Sequence, residues 1–119
     1  MDYSVESIVW NIENGMSIEF YLLEIENTVN ESARLLASDE IFKKIKPSWL
    51  PGKMIKMYKE IEKSSNTIIP STIKRNNEKI ELITSGILEY AKKHCSEEET
   101  VNIKEKIERA KKNDSKTID

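Results

Sequence analysis

Cysteine, glycine and proline are scarce in this chain, and each shortage closes off a class of protein. A single cysteine, Cys95, in 119 residues permits no internal disulfide. With one histidine, His94, it permits no zinc set either. Three glycines and three prolines leave few breakers among many straight-chain residues, which favours an all-α chain. No Gly-rich phosphate loop occurs. No apolar run approaches the ~18 residues of a membrane span, so no membrane insertion is expected. Residues 1–15 lack a basic region and carry Asp2, Glu6 and Glu13. A protein made in the cytoplasm without a cleaved leader is therefore expected. The net charge of −2 argues against a nucleic-acid binder.

What the chain does have is helical periodicity and an uneven spread of charge. Ile18, Leu22, Ile25, Val29, Ala33 and Leu36 recur every three or four residues, as one face of a helix does. Met54, Tyr58, Ile61, Ser65, Ile68 and Thr72 make a second stripe, continued by Ile80, Ile83, Ile87 and Tyr90. Between them lies "KIKPSWLPGKMIK". Pro47 ends the first helical arm. Ser48 is placed to cap the second, and Pro51 falls in its first turn, where a missing N–H costs nothing. Residues 5–45 and 53–93 are 41 residues each, roughly 60 Å as helices.

A short connection between two such arms gives antiparallel neighbours. The expected fold is an all-α, coiled-coil-like hairpin of two antiparallel helices. Folding at the corner sets Leu36 against Ile61, Val29 against Ile68, Ile18 against Ile80, and Ile8 against Ile87 or Tyr90. Residues 1–42 hold nine acids and one base, and residues 43–93 hold twelve bases and five acids. That contrast suits two arms that pair. Asn14-Gly15 followed by Ser17 can divide the first arm into a helix over 4–13 and another from about 17 to 45. Pro70 is expected to kink the second helix. Ser96 with Glu99 matches a capping box for a short helix to about residue 111, with Val101, Ile103, Ile107 and Ala110 too sparse for a strong core face. From Lys111 a frayed tail is expected. The hairpin domain is thus 1–95, and 96–119 is a short helix and flexible tail.

A second apolar stripe, Val5, Val9, Ile12, Met16, Phe20 and Leu23, lies about 140° from the first. Either the chain reorients at Gly15, or this face meets a partner molecule; the tail helix could also fold back over it. A two-helix hairpin leaves each helix half bare, so a dimer with itself or with another helical protein is expected. No catalytic, cofactor or metal residue stands out. His94 and Cys95 are neighbours on one helix, where side chains diverge by about 100°. They read as a solvated helix end. Glu97-Glu98-Glu99 suits a helix N-terminus. Lys53, Lys56, Lys59 and Lys63 form a basic run that the acidic first arm can answer. Trp49 is either a plug for the end of the bundle or an exposed anchor.

The chain resembles the WXG family, small helical hairpins exported by type VII secretion systems of Gram-positive bacteria. The resemblance rests on the Trp49-Leu50-Pro51-Gly52 corner, on "IIPSTIKRNNEKIELITSGILEY", and on the length, over residues 5–95. The corner is one residue longer than Trp-X-Gly. Family members carry Tyr followed four residues later by Asp or Glu after the second helix; here Tyr90 is followed by His94, with Glu97 further on. The resemblance implies that Trp49 and Gly52 form the turn motif and Tyr90 a degenerate tail signal. It further implies an exported substrate, or a small partner that binds the N-terminal helical domain of an LXG-type toxin and helps present it to the secretion ATPase. The alternative is a cytoplasmic helical adaptor, an immunity or regulatory protein unrelated to secretion.

Overall fold

The computed structural model describes residues 3–112. Among these the chain is all-helical. Four α-helices follow in order, α1 (Val5–Glu13), α2 (Ile18–Lys43), α3 (Ile55–His94) and α4 (Glu97–Lys111). Two short 3-10 turns, Pro47–Trp49 and Gly52–Met54, lie between α2 and α3. The molecule measures 63 × 30 × 17 Å. Its long axis is set by α3, whose 40 residues span about 60 Å at 1.5 Å each.

Local chemistry fixes the helix ends. Ser4 caps α1 by accepting from Ser7 N, and Ser7 answers through its own hydroxyl. Gly15 then takes φ +107°, a backbone region that glycine enters without a Cβ penalty. Ser17 caps α2 by accepting from Phe20 N. The first arm is thus two helices, and the chain turns between them. Ser96 and Glu99 form the capping box of α4, and its hydrogen bonds hold the Glu99 carboxyl below its ordinary range. The expected cap at Ser48 is not used. Ser48 sits inside the first 3-10 turn, and α3 begins only after Met54, without a side-chain cap. α3 runs unbroken through Pro70. The ring there removes one helical hydrogen bond, the one that would end on the Asn66 carbonyl.

The apolar core gathers at one end of α3. Ile80, Ile83, Ile87 and Ala91 of α3 meet Ile8 and Ile12 of α1, Tyr21, Leu22 and Ile25 of α2, and Ile103, Ile107 and Ala110 of α4. The apolar residues of α4 are therefore not too sparse to pack. Ile103, Ile107 and Ala110 are all buried, and α4 packs against both α2 and α3. Gly86 sets the closeness of α1: a Cβ there would lie 2.7 Å from Ile8. The expected fraying from Lys111 falls mostly on residues beyond Lys112, outside those described.

Along the rest of α2 and α3 the seam is polar. Phe42 stacks near Tyr58 with ring centroids 5.0 Å apart. The Ser65 hydroxyl donates to the buried Asp39 carboxylate. Asn76 Nδ2 donates to Ser32 Oγ at 3.0 Å, and Lys79 reaches Glu24 at 3.5 Å. These pairs are not the ones expected from the sequence. Leu36, Ile61 and Ile68 are 48%, 44% and 59% exposed and do not form the seam. Asp39 meets Ser65 and Ser32 meets Asn76 instead.

Candidate functional site

The corner is open. Trp49 is 66% exposed, with the Lys46 ammonium 5.6 Å from its ring. It plugs nothing: the nearest buried apolar cluster is at the far end of α3. Gly52 is exposed, and a Cβ added there would meet no atom within 4 Å. Tyr90 lies elsewhere, half-buried against the core. Its ring is tilted on that of His94 at 4.9 Å. The structure therefore puts the turn pair and Tyr90 at opposite ends of α3.

The second stripe does not survive as one face. Val9 and Ile12 are buried within the chain, Val5 and Phe20 are half-buried, and Met16 and Leu23 are exposed. The turn at Gly15 sends the α1 part inward onto α3 and leaves Leu23 outside. Val9 and Ile12 are thus unavailable to a partner. The apolar residues left bare lie mainly elsewhere, toward the corner. Leu36, Ile41, Met57, Ile61 and Ile68 are all exposed, along with Trp49.

A groove of about 910 Å³ runs beside α3 in this region. Leu36, Ile69, Pro70 and Ile73 give it an apolar wall, while Asp39, Lys43, Lys74, Glu78 and Glu81 contribute charge. Asp39 bonds to Lys43 Nζ at 2.9 Å and to Ser65. Lys43 and then Ser65 hold its carboxyl below the usual carboxylate range.

Charge divides the molecule. Residues 30–75 hold ten bases and five acids, residues 3–29 five acids and no base, and residues 76–112 eight of each. The corner half is thus +5, and the rest of the described chain −5. The expected pairing of acidic and basic arms occurs at one place between α2 and α3, Glu24 with Lys79. The acids of α1 and early α2 sit at the core end, far from Lys53–Lys63. Among the described residues, Lys53, Lys56, Lys59 and Lys63 form no ion pair within the chain.

His94 Nε2 lies 2.7 Å from Glu13 Oε2 and ties the end of α3 to the end of α1. Burial, with the Glu99 carboxylate nearby, pushes the Cys95 thiol up, away from the thiolate that a nucleophile needs. Burial and the hydrogen bond to Glu24 push the Tyr3 phenol up as well. Among the described residues, no three His, Cys, Asp or Glu side chains gather as a metal would require. No helix there is long and apolar enough to cross a membrane. No protein-family model matches the chain, and neither a curated protein nor a solved structure does.

Proposed function

We propose that the chain is an antiparallel helical hairpin of α2 and α3, braced at one end by α1 and α4, that acts by binding another helical protein and catalyses nothing. The observation that carries this reading is the bare apolar surface of the corner half. Leu36, Ile41, Trp49, Met57, Ile61 and Ile68 are exposed within 33 residues of one another in sequence. Large apolar side chains gathered this way on a two-helix segment are what a third and fourth helix cover in a bundle. Trp49 adds a large, rigid contact surface of the type enriched at binding hot spots.

The resemblance to WXG proteins gives this activity a setting. The chain is a type VII secretion-associated protein, a targeting partner for a larger effector toxin or itself an exported substrate. The exposed Trp49-Leu50-Pro51-Gly52 corner supports that setting. The cytoplasmic adaptor is the second reading; it is favoured by the position of Tyr90, which stands against the core and not in a free segment. Affinity purification from the native host, with and without the secretion ATPase, separates them. Secretion predicts a helical toxin domain bound to this chain, and loss of one or both from the medium when the ATPase is deleted. If a stable complex persists with no change in the medium, the adaptor reading replaces it. If the chain is monomeric and retains no helical protein, the binding reading itself fails.

A further inference from the structure

We infer that the corner between α2 and α3 docks on an anionic lipid bilayer surface, with Trp49 seated among the headgroups and the lysines around it on the lipid charge, a conclusion that goes beyond the helix-binding reading above. Residues 43–59 hold six lysines and no acid. Lys43, Lys44, Lys46, Lys53, Lys56 and Lys59 are all exposed. Among the described residues only Lys43 of these six reaches a carboxylate, that of Asp39. Interleaved with them in sequence are four apolar side chains that are exposed or half-buried, Trp49, Leu50, Met54 and Met57. The fold uses neither set. The apolar cluster lies at the other end of α3, and five of the lysines have no acid to answer.

The place of the corner fits a flat surface. α3 sets the 63 Å long axis, and the corner precedes its first turn, so Trp49 and the lysines sit at one tip of a rod. Pro47 and Pro51 restrain the backbone on either side of Trp49, so the ring is presented at little entropic cost. The Lys46 ammonium, 5.6 Å from that ring, puts a cation beside an aromatic face. That combination suits a bilayer interface, where the ring enters the headgroup layer and the ammonium meets lipid phosphate. Peripheral docking of this kind draws on two signals together, apolar contact and clustered basic charge. It requires no spanning helix, and none exists among the described residues. Residues 3–29, with five acids and no base, lie at the core end, so a negative surface turns the rod corner-first. Nucleic acid is the rival anion. It would use the lysines but leave Leu50, Met54 and Met57 without apolar contact. Arginine is also the side chain best suited to reading nucleic-acid phosphate, and residues 43–59 contain none.

The test uses the full chain carrying Trp10→Phe, an exposed site, which leaves Trp49 as the one tryptophan. The probes are vesicles of phosphatidylcholine alone and of phosphatidylcholine mixed equally with phosphatidylglycerol. Each lysine near an anionic surface is worth about fivefold in partitioning. With three of them engaged, the mixed vesicles should bind about 100-fold more tightly than the neutral ones. Trp49 emission should shift to the blue on binding, and added salt should weaken it. The variant K53Q/K56Q/K59Q, all at exposed side chains, should lose most of the preference while its thermal melt stays put. In the unaltered chain, Trp49→Ala should weaken binding to the mixed vesicles roughly tenfold. Equal partitioning into both kinds of vesicle, or into neither, would overturn the inference. So would binding without a shift of Trp49 emission. Tighter binding of single-stranded DNA than of the mixed vesicles at the same salt would overturn it in favour of nucleic acid. None of these results bears on capture of a helical protein, which the affinity purification reads separately.

Discussion

Between Ile80 and Ala91, α3 packs with residues of three other helices; between Ile55 and Ile73, Tyr58 and Ser65 reach Phe42 and Asp39 of α2. Every buried apolar side chain among the described residues lies in 8–25, 80–91 or 103–110. From 30 to 75 the buried side chains are Asp39 and Ser65, and both are polar. One helix therefore takes part in two kinds of structure. At the core end each buried isoleucine contributes about 1.5–3 kcal/mol by leaving water. At the corner end Ile41, Ile61 and Ile68 stay exposed, no isoleucine is fully buried, and the buried contact between α2 and α3 is the hydrogen bond of Ser65 to the Asp39 carboxylate. A buried polar pair adds little net stability but penalises wrong registers, since a slip leaves the carboxylate unpartnered. The comparison separates what stabilises the chain from what is left for a partner.

The largest test of that division is to remove the same side chain from each end. Ile83→Ala, at a fully buried site, should cost about 2–5 kcal/mol. Ile61→Ala, at an exposed one, should stay within about 0.5 kcal/mol. Urea unfolding monitored by circular dichroism reads both. Similar losses would mean the two ends are stabilised alike. Gly86→Ala comes next. Alanine gains about 1 kcal/mol of helix propensity, but its Cβ would lie 2.7 Å from Ile8, and such overpacking costs about 1–3 kcal/mol. A net loss is expected, together with faster amide exchange in α1 than in α4.

A smaller effect follows from pH. The folded pKa of Asp39 is lowered by Lys43 and Ser65. The pairing it supports is thus complete above the ordinary carboxylate pKa of about 4 and fades as pH falls through the depressed folded value. On acidification through that range the corner half should lose amide protection relative to the core end, and Asp39→Asn should abolish the step. The smallest effect belongs to Trp49→Ala. With the ring 66% exposed and no core beneath it, the unfolding free energy should shift by less than about 0.5 kcal/mol. Any loss of partner binding would then be a loss of contact and not of fold.

The helices were legible in the sequence because local signals mark them. Ser17, the Ser96–Glu99 box and the Asn14-Gly15 dipeptide act over a few residues and leave a local imprint. The three-and-four spacing identified the α3 core positions Ile80, Ile83 and Ile87. The pairing of α2 with α3 was not legible, since it is set by contacts between residues far apart in sequence, such as Asp39 with Ser65 and Ser32 with Asn76. Leu36, Ile61 and Ile68 lie at the surface instead of in the expected seam. The polar positions in the second stripe, Ser65 and Thr72, were the available sign that this stretch lacks an apolar seam. The role of Gly86 was hidden as well. A glycine inside a helix acquires meaning only from what lies against it, here Ile8 from far away in the chain. The groove beside Pro70 was obscured for the same reason, because Pro70 reads as a local fault until its neighbours on α2 are known.

The placement of α1 and α4 has a mechanical consequence. Both sit at the core end, so a pull entering through either of them loads the tightest part of the molecule before the corner feels any force. A grip on the corner would instead part α2 from α3 one contact at a time. The chain is therefore anisotropic toward any machine that unravels it: stiff when seized by α1 or α4, yielding when seized by its bend.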